Sequence, residues 1–190
     1  GEKMSKSLGN IRTIKHVIDN WGPNIIRLFC LSGHYSKPID YTEELLKENL
    51  IKWRQAEVCY YELIHADKEK HSEIKAVVEE TRNEFDNALE SDFNTHLALL
   101  AFFKLVKEVN YLAAQESLDS NDAKVTISEF QRMLEILGLN IPKITLEQKH
   151  EIDDLLISRE QLRKEKKFQE ADKIRDKLNE MNIELIDHKG

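Results

Sequence analysis

A mainly α protein, an antiparallel helix bundle with a small C-terminal helix-turn-helix-strand subdomain, is the fold class predicted by this sequence. Three observations lead there. Apolar residues recur at intervals of three and four over most of the chain, the interval that places them on one face of a helix. Six glycines and three prolines leave few breaks in 190 residues. Capping residues stand ahead of several periodic segments. A composition of 41% hydrophobic and 33% charged residues suits amphipathic helices around one or two cores. No run approaches the roughly 20 apolar residues of a membrane span, and the first residues lack the apolar segment of a secretory leader. A cytoplasmic protein with no membrane partner is expected.

The elements follow in order. After a polar opening stretch, Ile11, Ile14, Val17 and Ile18 recur at helical spacing as far as Trp21-Gly22. Pro23 suits the first turn of a second helix, because its fixed φ fits there and its missing N–H is not needed. That helix carries Ile25, Ile26, Leu28, Phe29 and Leu31, with Gly33 as its stop. Residues 35–40 form a connector in which Pro38 disfavours a helical Lys37. Thr42 caps a long helix reaching about Ala66. A helix over 72–90 and another from Asn94 or Thr95, carrying Leu97, Leu100, Ala101, Leu105, Val109 and Leu112, come next. Residues 119–124 are the expected flexible loop. Thr126 with Glu129 has the spacing of a capping box ahead of Phe130, Met133, Leu134 and Leu137, and Gly138 is the stop. Thr145 with Gln148 repeats the device for a helix whose stripe is Ile152, Leu155, Leu156 and Leu162. Lys164-Glu165-Lys166-Lys167 breaks that helix. A shorter one over 168–181 presents Phe168, Ala171, Ile174, Leu178 and Met181, and residues 183–187 read as a terminal strand. Trp21 and Trp53 are expected to pack, and Cys30 and Cys59 to be buried structural thiols.

Charge is unevenly placed within a net −7. Residues 1–16 carry Lys3, Lys6, Arg12 and Lys15 against Glu2, and residues 159–177 carry eight Lys or Arg against five acids. The long middle is acidic. A polyanion would meet the two ends and be repelled between them.

The opening Gly1-Glu2-Lys3-Met4-Ser5-Lys6-Ser7-Leu8-Gly9-Asn10 is built for a phosphate, with two ammonium groups, flanking hydroxyls and a glycine beside them. Lys3-Met4-Ser5-Lys6-Ser7 resembles the signature loop of class I aminoacyl-tRNA synthetases. Further blocks resemble the cysteinyl-tRNA synthetase family: residues 27–35 with 41–45, Asp92-Phe93-Asn94-Thr95, and the stretch from Arg163 through Leu178 to Asp187.

The resemblance implies an anticodon-binding bundle of the class I type and three parts. Residues 1–40 would be the loop and stem-contact helices, 41–142 the bundle, and 143–190 an anticodon-recognition subdomain. It implies ATP with Mg at Lys3, Met4, Ser5, Lys6 and Ser7, with Lys6 stabilising the pyrophosphate that leaves as cysteine attacks the α-phosphate. It implies tRNA(Cys) as partner, with Arg163, Phe168, Asp172 and Asp187 at anticodon-contacting positions, and cysteine as substrate of the full-length enzyme. Where the family commonly has Trp, this chain has Phe168, which also falls on the apolar stripe, so base stacking and core packing both remain open. The zinc of the family belongs to a catalytic domain upstream of the loop. No metal site is expected in this chain, and the chain is expected to be inactive alone because the nucleotide-binding domain that precedes the loop in the family is not in it. His34 and Tyr35 invite a catalytic reading, but a hinge or an RNA-backbone contact is expected instead. Two other readings stand beside this one: a cysteine ligase of mycothiol synthesis, which would not need the 163–187 block, and a non-catalytic helical module that binds tRNA or protein.

Overall fold

The computed structural model describes residues 13–69, 74–142, 146–181, 183 and 185. Eight helices are present among them: α1 (Ile14–Trp21), α2 (Pro23–Leu31), α3 (Glu43–His65), α4 (Ile74–Glu90), α5 (Thr95–Ala114), α6 (Ser120–Leu137), α7 (Leu146–Lys164) and α8 (Phe168–Glu180). Among the described residues there is no strand, and the one β pairing is an isolated parallel bridge between Lys68 and Asp119. None of these helices is long and apolar enough to cross a membrane. Of the strand expected over 183–187, residues 184, 186 and 187 lie outside the described residues, and Ile183 and Leu185 are irregular.

The chain divides into two compact units at the Ile141–Pro142 junction. In the first, α4 packs on α5, α5 on α3, α3 on α6 and α6 on α4, which closes a four-helix ring. The sequence dictates the inner faces. Leu46, Asn49, Trp53, Ala56, Cys59 and Leu63 on α3 follow one another by steps of three or four, as do Ile74, Val78, Thr81, Phe85 and Ala88 on α4. Phe85, Phe102 and Phe130 are fully buried in the core, and the Phe102 and Phe130 rings lie 5.3 Å apart. Pro23 opens α2, Thr42 Oγ1 accepts from the Leu45 N–H to start α3, and Asn94 Oδ1 accepts from the Leu97 N–H to start α5. Helix α2 stops two residues before Gly33, with Ser32 at its C-cap. Gly138 ends α6 in the left-handed conformation at φ 66°, where a Cβ would also come within 2.9 Å of the Arg27 guanidinium.

Three sequence expectations are corrected. Thr126 and Glu129 do not form a capping box, and residues 119–124 are not a loop. Asp119 is the cap: its Oδ1 accepts from the N–H groups of Asn121 and Asp122, so α6 begins at Ser120. Thr126 sits in the helix interior and donates to the Asp122 carbonyl. Glu129, 1% exposed, is turned into the bundle. There Arg82 Nε donates to its Oε2 and Arg132 Nε to its Oε1, each at 2.8 Å. Arg132 also reaches Asp86 and lies 5.7 Å from the Phe85 ring centre. Cys30 is exposed rather than buried, because α2 packs its Ile25, Leu28 and Phe29 face inward and leaves residue 30 outside. Cys59 is buried, and that desolvation pushes its thiol pKa far up. Trp53 is buried with its Nε1 donating to Glu57 Oε1, and Trp21 packs half-buried against the core.

The second unit is the α7–α8 hairpin. Ile152, Leu155, Leu156 and Leu162 of α7 are half-buried, as is Ile174 of α8, whereas Ala171 and Leu178 are buried. Lys177, late in α8, pairs with Glu151, early in α7, at 3.1 Å, as an antiparallel pair requires. Residues 165–167 make the turn, with Lys166 in the left-handed region at φ 59°.

Candidate nucleic-acid interface

The turn of the hairpin gathers three of the four residues that the sequence associates with anticodon contact. Arg163 is exposed in the last turn of α7, Phe168 is the first residue of α8, and Asp172 is exposed one turn further along the same helix. Asp187 lies outside the described residues, as do Lys3, Met4, Ser5, Lys6 and Ser7. Phe168 is 58% exposed, although its period matches the buried Ala171 and Leu178. At the turn end of the hairpin, α7 has no stripe residue beyond Leu162 to cover it. An exposed aromatic ring amid Arg163, Lys164, Lys166 and Lys167, all exposed, combines a stacking face with phosphate-seeking charge. Glu165 does not cancel that charge evenly. Lys167 Nζ approaches its Oε2 at 2.8 Å, and this contact, with Gln161 behind it, lowers the Glu165 carboxyl pKa and raises that of Lys167.

A second polar centre lies in the first unit, where the end of α2 meets the turn between α4 and α5. Thr95 Oγ1 donates to the Leu31 carbonyl at 3.0 Å and His96 Nδ1 to the Ser32 carbonyl at 2.8 Å, so two C-terminal carbonyls of α2 are satisfied by the start of α5. Tyr35 Oη donates to Asp92 Oδ1 at 2.6 Å, and His34 Nε2 stands 3.6 Å from Asp92 Oδ2. The hydrogen bond to Asp92 raises the Tyr35 pKa. The His34 and Tyr35 rings stack at 4.6 Å.

The α4–α5 turn that makes these contacts is strained. Asp92 and Phe93 are consecutive left-handed residues at φ 58° and 48°, a conformation costing on the order of 1 kcal/mol or more for a non-glycine residue. Asn94 holds both ends of the turn, its N–H donating to the Ala88 carbonyl while its side chain caps α5. Reading residues singly identified His34, Tyr35 and the Asp92–Thr95 block but not their pairing. The signal was present as two polar clusters, each at a helix end with carbonyls or N–H groups to satisfy. Among the described residues no group of three or more His, Cys, Asp or Glu converges as a metal would require.

Residues 1–50 match the family of class I (C) tRNA synthetase catalytic domains, and residues 84–141 match the DALR domain. The chain is 36% identical over 192 residues to a cysteine--tRNA ligase of Bacillus velezensis, covering 98% of this chain and 41% of that protein. It is 38% identical over 202 residues to one of Thermococcus onnurineus, covering 98% and 42%, and 33% identical over 198 residues to one of Listeria monocytogenes, covering the same shares. The chain therefore spans about two-fifths of the length of these relatives. Similarity along nearly all of the chain, together with the two matched domains and a helical bundle, matches it to a C-terminal portion of the cysteinyl-tRNA synthetases.

Proposed function

We propose that this chain is the C-terminal part of a cysteine--tRNA ligase, an enzyme that activates cysteine with ATP and transfers it to tRNA(Cys) in the cytoplasm. The observation that carries the reading is the match of 98% of the chain to such ligases. The exposed Phe168 at a basic helical turn, at a position the family resemblance assigns to anticodon contact, supports it. Residues 143–190 would read the anticodon. Phe168 would stack on a base, Arg163 would hold a phosphate or a base edge, and the Asp172 and Asp187 carboxylates would accept from exocyclic amino groups.

Residues 1–40 would supply the ATP loop and the helices that follow it. In adenylation a cysteine carboxylate oxygen attacks the α-phosphorus, the bond to the β-phosphate oxygen breaks, and negative charge accumulates on the departing pyrophosphate. Lys6 would stabilise that charge, while Lys3, Met4, Ser5 and Ser7 shape the loop around ATP-Mg. A polypeptide of these 190 residues, which span about two-fifths of such a ligase, is expected to form no cysteinyl adenylate by itself.

The deciding experiment is tRNA binding by the full chain, comparing a tRNA(Cys) transcript with the same transcript carrying another anticodon. Weaker binding on anticodon replacement is expected. Equal binding of both would refute anticodon recognition by residues 143–190. In the full-length ligase, Lys6→Ala should slow cysteine-dependent pyrophosphate exchange, and an unchanged rate would remove the role given to Lys6.

A further inference from the structure

A groove of about 470 Å³ opens between α4 and α5 on the solvent side of the first unit. We propose that it docks a cationic amphipathic helix of a partner protein, with apolar side chains over α5 and lysines or arginines over α4. The inference is independent of the tRNA-binding reading and adds a protein-interaction surface to it.

The sequence of α5 marks the face. Ala98, Leu99, Ala101, Phe102 and Leu105 are buried against the bundle, yet Leu97 and Leu100 stand 47% and 55% exposed on the groove side. A helix that is apolar on nearly every side is expected to be covered on every side. The buried Ala88 and Ala101 floor the groove with methyl groups, which leaves room for large side chains of a third helix between the two ridges. Asn87 and Ser91 on the α4 wall are short and uncharged. Both walls are helices whose backbone groups pair internally, so a strand has no edge to join and binding must come from side chains.

Charge decides which kind of helix fits. On α4, Glu79, Glu80, Glu84 and Glu90 are exposed. The cations of α4 are committed elsewhere, Lys75 to Asp122 at 2.9 Å and Arg82 to Glu129 at 2.6 Å. Lys104 of α5 reaches across to Glu80 and Glu84 at 2.8 Å each. One lysine shared by two carboxylates leaves a negative charge at the rim, and Glu79 and Glu90 add to it on the neighbouring stripe of α4. On α5, Lys107 stands beside Glu108, so the excess acid lies on the α4 side. A polyanion or an anionic lipid surface would be repelled there. A second copy of this chain, related by a twofold axis, would set the same net-negative rim against itself. A helix with leucine-like residues at steps of three and four, flanked on one side by lysine or arginine, meets both halves of the groove.

The test titrates the full chain into fluorescein-labelled peptides of about five helical turns, roughly 18 residues, and reads anisotropy. One peptide carries leucine on one face with lysine beside it, a second has glutamate in place of lysine, and a third has serine in place of leucine. Saturable one-to-one binding of the first alone is expected. Leu100→Ser should weaken it about fivefold to tenfold, as the loss of half a leucine's burial would. Glu84→Gln should weaken it about twofold to threefold and make the salt dependence shallower. As a reference, replacing both Glu43 and Glu44 with Gln removes two exposed acids from the first turn of α3 and should leave the affinity within about twofold. Thermal melts show that each variant is folded, and Leu97→Ser takes the place of Leu100→Ser should the latter not fold. The proposal is overturned if the lysine peptide does not bind, if the glutamate peptide binds equally, if the groove variants keep wild-type affinity, or if the α3 reference loses as much. Sedimentation that shows a dimer dissolved by Leu100→Ser also overturns it, because the occupant is then a second copy. If the full-length ligase does not bind the lysine peptide while this chain does, the rest of that ligase covers the groove and the proposal is overturned. None of these readouts involves RNA, so failure here leaves the anticodon reading as it stands.

Discussion

Replacing Phe168 with Ala separates a base-stacking ring from a core residue, because the two roles predict opposite balances between folding and binding. With 58% of the residue exposed, about two-fifths of it is covered. Full burial of a phenylalanine side chain contributes at most about 3 kcal/mol, so truncation here should cost about 1 kcal/mol. The better helix propensity of Ala offsets roughly 0.5 kcal/mol of that. A core phenylalanine would instead cost about 3–5 kcal/mol. Losing a stacked base weakens RNA binding by about 1–3 kcal/mol, which is a fivefold to 150-fold rise in Kd at about 1.4 kcal/mol per decade. Circular dichroism at 222 nm under urea gives the stability, and filter binding of a tRNA(Cys) transcript at fixed salt gives the affinity. Phe168→Trp keeps an aromatic face and should bind at least as well as the native chain. An unchanged Kd for Phe168→Ala refutes the stacking assignment. So does a stability loss of about 3 kcal/mol or more with a matching loss of binding, which would show that the ring is core.

Glu129→Gln removes the one carboxylate that joins Arg82 and Arg132 inside the bundle. Both arginines are partly hydrated, at 52% and 36% side-chain exposure, so the cost should lie near the lower end of the range for a broken buried pair, about 3 kcal/mol. Trp21 and Trp53 both lie in the first unit, so their fluorescence in urea reads it directly, and a midpoint shift of about 1–2 M is expected; a shift below about 0.3 M contradicts the network's importance. The raised Tyr35 pKa has a definite sign: its contribution to stability is complete below the ordinary tyrosine value of about 10 and is lost as pH rises through the higher folded value. Asp92→Asn should move one tyrosine's ultraviolet titration toward lower pH, and superimposable curves would dissolve the Tyr35–Asp92 bond. A maleimide should label Cys30 rapidly and leave Cys59 untouched until the bundle unfolds, given their exposed and buried positions; equal rates for both thiols would contradict those positions.

Most helices were legible because their information is local. Periodicity, Pro23, Thr42, Asn94 and Gly138 located α2, α3, α5 and the end of α6 to within a residue or two. The start of α6 was misread because Thr126 and Glu129 have capping-box spacing by coincidence. What distinguishes Glu129 from a cap is Arg82, 47 residues away, and no local pattern contains that partner. Cys30 was misread for a related reason: in a short, largely apolar helix, one face is chosen by what packs against it. Within the candidate interface, the residues of the basic turn were legible by type and family resemblance, whereas the exposure of Phe168 was not. The Asp92–Tyr35 and His96–Ser32 pairings join segments more than 50 residues apart, and no local pattern contains them.

Sequence alone determined that this chain is helical, where most helices begin and end, and that its opening and closing segments are basic and resemble those of tRNA synthetases. Those properties depend on neighbours within a turn or two, which a single chain displays in order. Tertiary packing decided which carboxylate would be buried between two arginines, which aromatics would stand in solvent, and that two polar helix ends would meet. Burial and juxtaposition depend on which distant element covers a side chain, and helical spacing assigns Phe168 and Leu178 to the same stripe although only Leu178 is fully covered.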